Sequence, residues 1–269
     1  MDELQTNKIA SLEREKYWND GYVSYWMARV KEANMGDVDS SSIVVGDAKT
    51  STDDLYVDAI KLLQICASGS ILELGCGFGR SLSKLCKQAY HVTAVDISEQ
   101  MIKVAKESCK EKNITFYVSP SEKLPLPDNS FDFVVCFAAF DAMYQMETLI
   151  EINRVCKVDA KVLITGKNDD YFSDDFAALD AEAGARSKGH PNYFTDVKSL
   201  VQNLDKFGFE IVTQKYYLRR GDFSRGVSLE VIPHKFYEYL FILKKNDNCN
   251  LKKIFTISSE LSKTFYRTR

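Results

Sequence analysis

An apolar strand-like run feeding three glycines at alternate positions, Ser70-Ile-Leu-Glu-Leu-Gly-Cys-Gly-Phe-Gly-Arg80, restricts what this 269-residue chain can fold into more than any other stretch. Glycines at 75, 77 and 79 let the backbone turn sharply and approach a ligand more closely than a side chain would permit. Ser81-Leu-Ser-Lys-Leu-Cys86 then reads as the start of a helix whose free N–H groups face the same space. Gly-x-Gly-x-Gly alone says little. Its weight comes from Asp96, which closes the next apolar run, His91-Val-Thr-Ala-Val-Asp96, 21 residues beyond Gly75. A carboxylate there can accept both hydroxyls of a ribose.

The rest of the pattern alternates. Strands are expected over 70–74, 91–96, 114–118, 131–137, 160–165, 209–218 and 236–244, with helices between most of them. That order implies a mainly parallel sheet covered on both faces, with the ligand beyond the strands' carboxyl ends. The last two strands lack an intervening helix and are expected to pair antiparallel. Ser51-Thr-Asp-Asp is placed to cap a helix running to about Cys66. The domain reading is an N-terminal arm or cap over 1–50, a central domain over 51–245 with a lid insertion at about 167–191, and a basic tail over 246–269.

Four blocks together resemble the class I S-adenosylmethionine-dependent methyltransferases, within them the type 11 methyltransferase domain: Glu73–Gly79, Asp96–Ala105, Ser121–Val134 and Glu151–Lys157. The resemblance runs from about residue 55 to 166 and implies one doubly wound, Rossmann-like α/β sheet of seven strands, here with a helical N-terminal arm and a lid. It implies S-adenosyl-L-methionine as cofactor. Glu73 and the loop Gly75, Cys76, Gly77, Gly79 would serve its methionine end, Asp96 its ribose, and Ile97 would flank adenine. Met101 and Glu122 complete the set, and Phe137 lies near the methyl donor. Many relatives carry an acidic adenine contact where this chain has Pro120; Ser121 is the preferred substitute. Lys157-Val-Asp-Ala160 replaces a common Lys-Pro-Gly-Gly, so a different turn is expected there with intact chemistry.

Other readings fail by position. A nicotinamide fingerprint needs glycine at position 80, which is Arg80. A catechol-type metal site would use positions near Phe137, Gly166 and Lys167, so Asp141, Asp169 and Asp170 fall too late and no metal is expected. The net charge of −3 disfavours a nucleic-acid partner. Seven scattered cysteines with no Cys-x-x-Cys pair read as reduced thiols. With no leader-like apolar region and no run of about 18 apolar residues, a cytoplasmic location is expected. The tail's mix of basic and apolar residues allows peripheral contact with a membrane or partner.

The acceptor should be met by segments outside the shared blocks. The arm holds Tyr17, Trp18, Tyr22, Tyr25 and Trp26, of which Tyr22 and Trp26 are candidate substrate contacts. Arg219, with Arg220 and Arg225, is a candidate for an acceptor phosphate or carboxylate. His190 is the best available general base, with Asp141 and Tyr144 as alternatives. The resemblance implies methyl transfer, read as chiefly O-methylation of a small-molecule or glycan-like acceptor, and the Gly-Cys-Gly-Phe-Gly-Arg motif with a Tyr- and Trp-rich arm looks like enzymes that modify a surface polysaccharide or nucleotide sugar. A small-molecule N-methyltransferase and a non-catalytic cofactor-binding scaffold are the alternatives.

Overall fold

The computed structural model describes residues 14–26, 58–190 and 192–246. The tail after residue 246, most of the arm and the start of the helix expected from Ser51 lie outside the described residues. Residues 58–62 are the visible part of that helix, which stops short of Cys66 because Gln64 takes a left-handed conformation (φ 54).

Seven strands form one sheet: β1 (Ser70–Leu74), β2 (His91–Asp96), β3 (Ile114–Val118), β4 (Phe131–Cys136), β5 (Cys156–Lys167), β6 (Phe209–Tyr217) and β7 (Glu238–Lys245). Their order across the sheet is β3-β2-β1-β4-β5-β7-β6. The first five are parallel, and β7 runs antiparallel to both β5 and β6. Chain order reverses between β1 and β4, which opens a crevice at their carboxyl ends. β5 is longer than its apolar run because β7 pairs with it as far as Lys167, opposite Glu238.

Period-two alternation sends Leu72, Leu74, Val134, Cys136, Val162 and Ile164 to one face, where α3 (Gln145–Val155) and α5 (Val197–Asn203) cover them. Ile71, Val92, Val135 and Leu163 face the other way, under α1 (Leu82–Cys86), α2 (Glu99–Ser108) and the helix at 58–62. Where a turn is expected from the sequence, Lys157–Ala160 lies inside β5: the register to β4 shifts there, Asp159 adopts φ 62, a left-handed conformation that Asp tolerates better than most residues, and its carboxylate pairs with Lys244 at 2.7 Å.

The segment expected from the sequence to form a lid carries α4 (Phe176–Ser187), capped by Asp175, which accepts from the Ala178 amide at 3.2 Å. A small satellite core of Tyr171, Ala178, Phe194 and Tyr237 fixes it to the main body. α6 (Asp222–Arg225) is a single turn after β6.

Candidate active site

Each carboxyl-end loop is shaped by hydrogen bonds that the sequence motif demands. Gly75 and Cys76 donate their amides to the Val95 carbonyl at 2.8 and 3.1 Å, folding the glycine loop back over β2. At Gly75 (φ +65) a Cβ would come within 2.5 Å of the Ala139 Cβ, so only glycine lets this loop meet the loop after β4. Gly77 (φ +52) faces open space, with nothing within 4 Å of where its Cβ would stand. Its amide donates to Asp96 Oδ2 at 2.9 Å, and the Ser98 amide donates to Asp96 Oδ1 at 2.9 Å. Each carboxylate oxygen thus holds one amide and keeps a lone pair for a further donor. Burial raises the Asp96 pKa, and the Ser98, Gly77 and Ile97 amides oppose that rise.

Glu73 is buried at the end of β1. Its Oε1 accepts from the Ser81 hydroxyl, while Oε2 is buried without a partner. Burial pushes its pKa from 4.5 to about 8, with the Ser81 bond lowering it and nearby Asp96 adding to the rise. A buried carboxylate oxygen left over beside a glycine turn is a seat for a cation.

These residues open into a cavity of about 660 Å³. Glu73, Gly75, Cys76, Gly77, Asp96, Ile97, Ser121 and Phe137 line it, joined by the acceptor-side candidates Tyr22, Trp26, Asp141 and His190. Gly79, Met101, Glu122, Tyr144 and Arg219 lie outside the lining. Met101 is buried in the first turn of α2, where its amide donates to the capping Ser98 hydroxyl. Glu122 is held by Arg14 at 2.5 Å, and the Arg14 guanidinium covers the Tyr144 ring at 4.2 Å. Arg219 pairs with Asp174 at 2.8 Å on the surface, and its neighbour Arg220 lines the cavity instead. The Ser121 hydroxyl bonds Thr148 at 2.8 Å and Glu122 at 3.2 Å, which leaves it capacity for one more bond at the cavity wall.

Asp141 is tied down from three sides. Its Oδ2 accepts the Lys167 amide at 2.7 Å, and its Oδ1 accepts the Thr195 hydroxyl at 2.8 Å and the Tyr239 hydroxyl at 3.3 Å. Burial raises its pKa to about 6 against the pull of Lys167 and these donors. His190 sits in an aromatic nest. Tyr25 stacks on it at 4.3 Å between centroids, its Nδ1 bonds the Tyr17 hydroxyl, and Trp18, Tyr22 and Tyr193 complete the surround. Burial and the Lys167 charge lower its pKa from 6.5 to about 4.

The arm therefore roofs the cavity. Besides Arg14–Glu122 and Tyr17–His190, Asn19 caps α2 by accepting the Glu99 amide at 2.8 Å, and Trp26 stacks on Phe78 of the glycine loop at 4.7 Å. The clustering of Tyr and Trp signalled this role; Arg14 carried no such signal. Lys167 and Glu238, also in the lining, went unmarked as site residues, although the end of β5 and the start of an antiparallel β7 must share the carboxyl edge of the sheet.

Strand–acid–glycine turn on β1, an acid ending β2 and a cavity at the switch point define an α/β domain built to hold a nucleoside-bearing cofactor. Residues 72–164 match the family described as "Methyltransferase domain". It is 29% identical over 125 residues to the uncharacterized methyltransferase YcgJ of Bacillus subtilis, covering 45% of this chain and 48% of that protein. It is 39% identical over 87 residues to malonyl-(acyl-carrier protein) O-methyltransferase of Bacillus cereus, covering 31% and 32%. The chain spans less than half the length of these relatives. Among solved structures, the 4+2 cyclase SpnF shares the fold with a TM-score of 0.61 at 16% identity over 84% of this chain and 95% of its own.

The residues present fit S-adenosylmethionine. Glu73 Oε2 suits its ammonium, the open lone pairs of Asp96 suit its ribose diol, and the space before Gly77 leaves room for the chain between them.

Proposed function

We propose that this protein is a methyltransferase that moves a methyl group from S-adenosylmethionine to a hydroxyl of a small-molecule or glycan-like acceptor. The observation that carries the reading is a single cavity joining the Glu73–Asp96 pole to the lid residue His190, with the Phe137–Met143 loop between them. The cofactor, when bound, supplies an electrophilic methyl on a sulfonium. The chain's own task is to position it: Glu73 and the glycine loop hold one end, Asp96 the ribose, and the aromatic arm shuts out water.

The loop after β4 is set for this. Ala138 takes φ 48 and donates its amide to the Thr165 hydroxyl at 2.8 Å, turning Phe137 and Ala139 into the cavity. Asp141 anchors the far end of that loop to β5 and β7 and acts as a positioning residue. His190 serves as proton acceptor, neutral across the physiological range, with Nε2 carrying no partner among the described residues. No metal takes part in this scheme, and turnover that survives EDTA supports it.

An amine acceptor is the second reading, because it needs no strong base and the His190 nitrogen is weakly basic. The relatives do not choose between the two, since their names include both O- and N-methyltransferases. Calorimetry tests the first step: S-adenosylmethionine and S-adenosylhomocysteine should bind in the micromolar range and NAD should not. A screen of acceptors with methyl-labelled cofactor then identifies the product. Tight binding with no labelled product across hydroxyl and amine panels favours the non-catalytic scaffold.

A further inference from the structure

We propose that the acceptor is an anion whose carboxylate or phosphate is held between the Lys167 ammonium and the Arg220 guanidinium. The proposal rests on the methyltransferase reading and names the substrate class for that site. β5 lies two strands from β1, and β7 four strands from β2, so Lys167 and its neighbours stand on the order of 10 to 20 Å along the carboxyl edge from the Glu73–Asp96 pole. Lys167 ends β5, and Arg220 follows β6, whose direction matches that of β5. Both side chains line the cavity.

Four other arginines among the described residues are tightly ion-paired. Arg14, Arg154, Arg219 and Arg225 each have a carboxylate at 2.5 to 2.8 Å. Among the described residues, neither Lys167 nor Arg220 has a carboxylate within the 4.0 Å of an ion pair. The Lys167 ammonium rests over the Phe194 ring at 4.7 Å; the Arg220 guanidinium donates a long bond, 3.4 Å, to the Tyr237 hydroxyl, while its backbone amide donates to Asp175 Oδ2 at 2.8 Å. Burial chiefly lowers the Lys167 pKa, Asp141, Glu182 and Glu238 oppose that, and Arg220 adds to the lowering, so the two cations lie within reach of each other.

The nearby acids are mostly committed. Asp141 holds the Lys167 amide, Thr195 and Tyr239, and Glu182 accepts from Tyr171 and faces Arg186 at 3.6 Å. Glu238 remains: burial lifts its pKa to about 7 while Arg220 and Lys167 pull it down, so it is the acid that both cations feel without pairing with it. Two cations in a cavity wall with no carboxylate in ion-pair contact are incompletely compensated, and an oxyanion placed between them completes the pairing. The aromatic side chains Trp18, Tyr22 and Tyr193 in the same wall give the body of the acceptor a flat surface to lie on.

The test uses the full chain saturated with S-adenosylhomocysteine, titrated with inorganic phosphate and separately with benzoate. At least one probe should bind with a millimolar Kd, and the stronger probe distinguishes phosphate from carboxylate recognition. Lys167→Met and Arg220→Met should each weaken that binding by about tenfold or more, while Lys167→Arg and Arg220→Lys retain most of it. S-adenosylhomocysteine affinity should stay unchanged in all four. Failure of both probes to bind wild-type protein that does bind S-adenosylhomocysteine overturns the proposal, as does undiminished binding in both methionine variants. Failure of S-adenosylhomocysteine itself to bind overturns the cofactor reading instead, and the probes titrated into the ligand-free chain then judge the anion site separately.

Discussion

Glu73 shows how one side chain can link burial to ligand binding. With its pKa near 8, the carboxyl is largely protonated at pH 7 in the ligand-free protein. A ligand ammonium placed against Oε2 favours the charged form, so its pKa falls and a proton leaves. Calorimetry of S-adenosylhomocysteine binding in two buffers of different ionisation enthalpy should therefore show release of about half to one proton at pH 7, and Glu73→Gln should abolish it. Binding with no release in the wild type places the ammonium elsewhere. His190 behaves in the opposite sense. An exposed histidine would lose its basic form as pH drops through about 6.5. Here burial and Lys167 move that transition to about 4, so an O-methylation rate should stay level from pH 7 to about 5 and fall only below that. His190→Ala should lower the single-turnover rate by about 100-fold or more without a matching loss of cofactor affinity. A near-normal rate in that variant removes His190 from the chemistry and favours an amine acceptor.

At the scale of elements, two of the sequence blocks turn out to be halves of one clamp. Glu151 and Arg154 on α3 reach the segment before β4: Glu151 accepts the Leu124 amide at 2.8 Å, and Arg154 donates to the Leu124 and Leu126 carbonyls at 3.0 and 2.7 Å. Arg154 also pairs with Asp128 at 2.6 Å. The clamp holds the loop that carries Ser121 at the cavity wall. Arg154→Met should cost about 2 to 3 kcal/mol of unfolding free energy, because two backbone carbonyls lose a charged donor. A denaturant midpoint unchanged from wild type would show the clamp to be dispensable. The β-strands were legible because their apolar runs are bounded by glycines and acids, and the cofactor pole was legible because Glu73, the glycines and Asp96 are adjacent to them in sequence. Lys167, Arg220 and Glu238 were harder to see, since each stands in an ordinary polar context and only the antiparallel return of β7 assembles them. Arg219 rather than Arg220 drew notice for the same reason: a one-residue difference in direction after β6 decides which guanidinium faces inward.

For the molecule as a whole, the arm matters more than its length suggests. Residues 14–26 touch the β3–β4 connection through Glu122, the start of α2 through Glu99, the glycine loop through Phe78 and the lid through His190 and Tyr193. Four parts of the fold that have no covalent reason to move together are thereby tied to one segment. Arg14→Met removes the buried end of that tie, with 10% of the Arg14 side chain exposed in the wild type. It should speed S-adenosylhomocysteine release by about tenfold in stopped-flow displacement, a loss in line with a charged hydrogen-bonded pair. An unchanged off-rate would mean that the arm does not retain the product. The stacked Trp26 and Phe78 rings carry a further consequence. The glycine loop and the arm meet at this pair within one cavity wall, so on the proposed reading a ligand exchanged on one side disturbs the wall of the other. If the proposed methyl transfer holds, an ordered sequence is expected, with the cofactor first in and its spent form last out, and product-inhibition patterns check it.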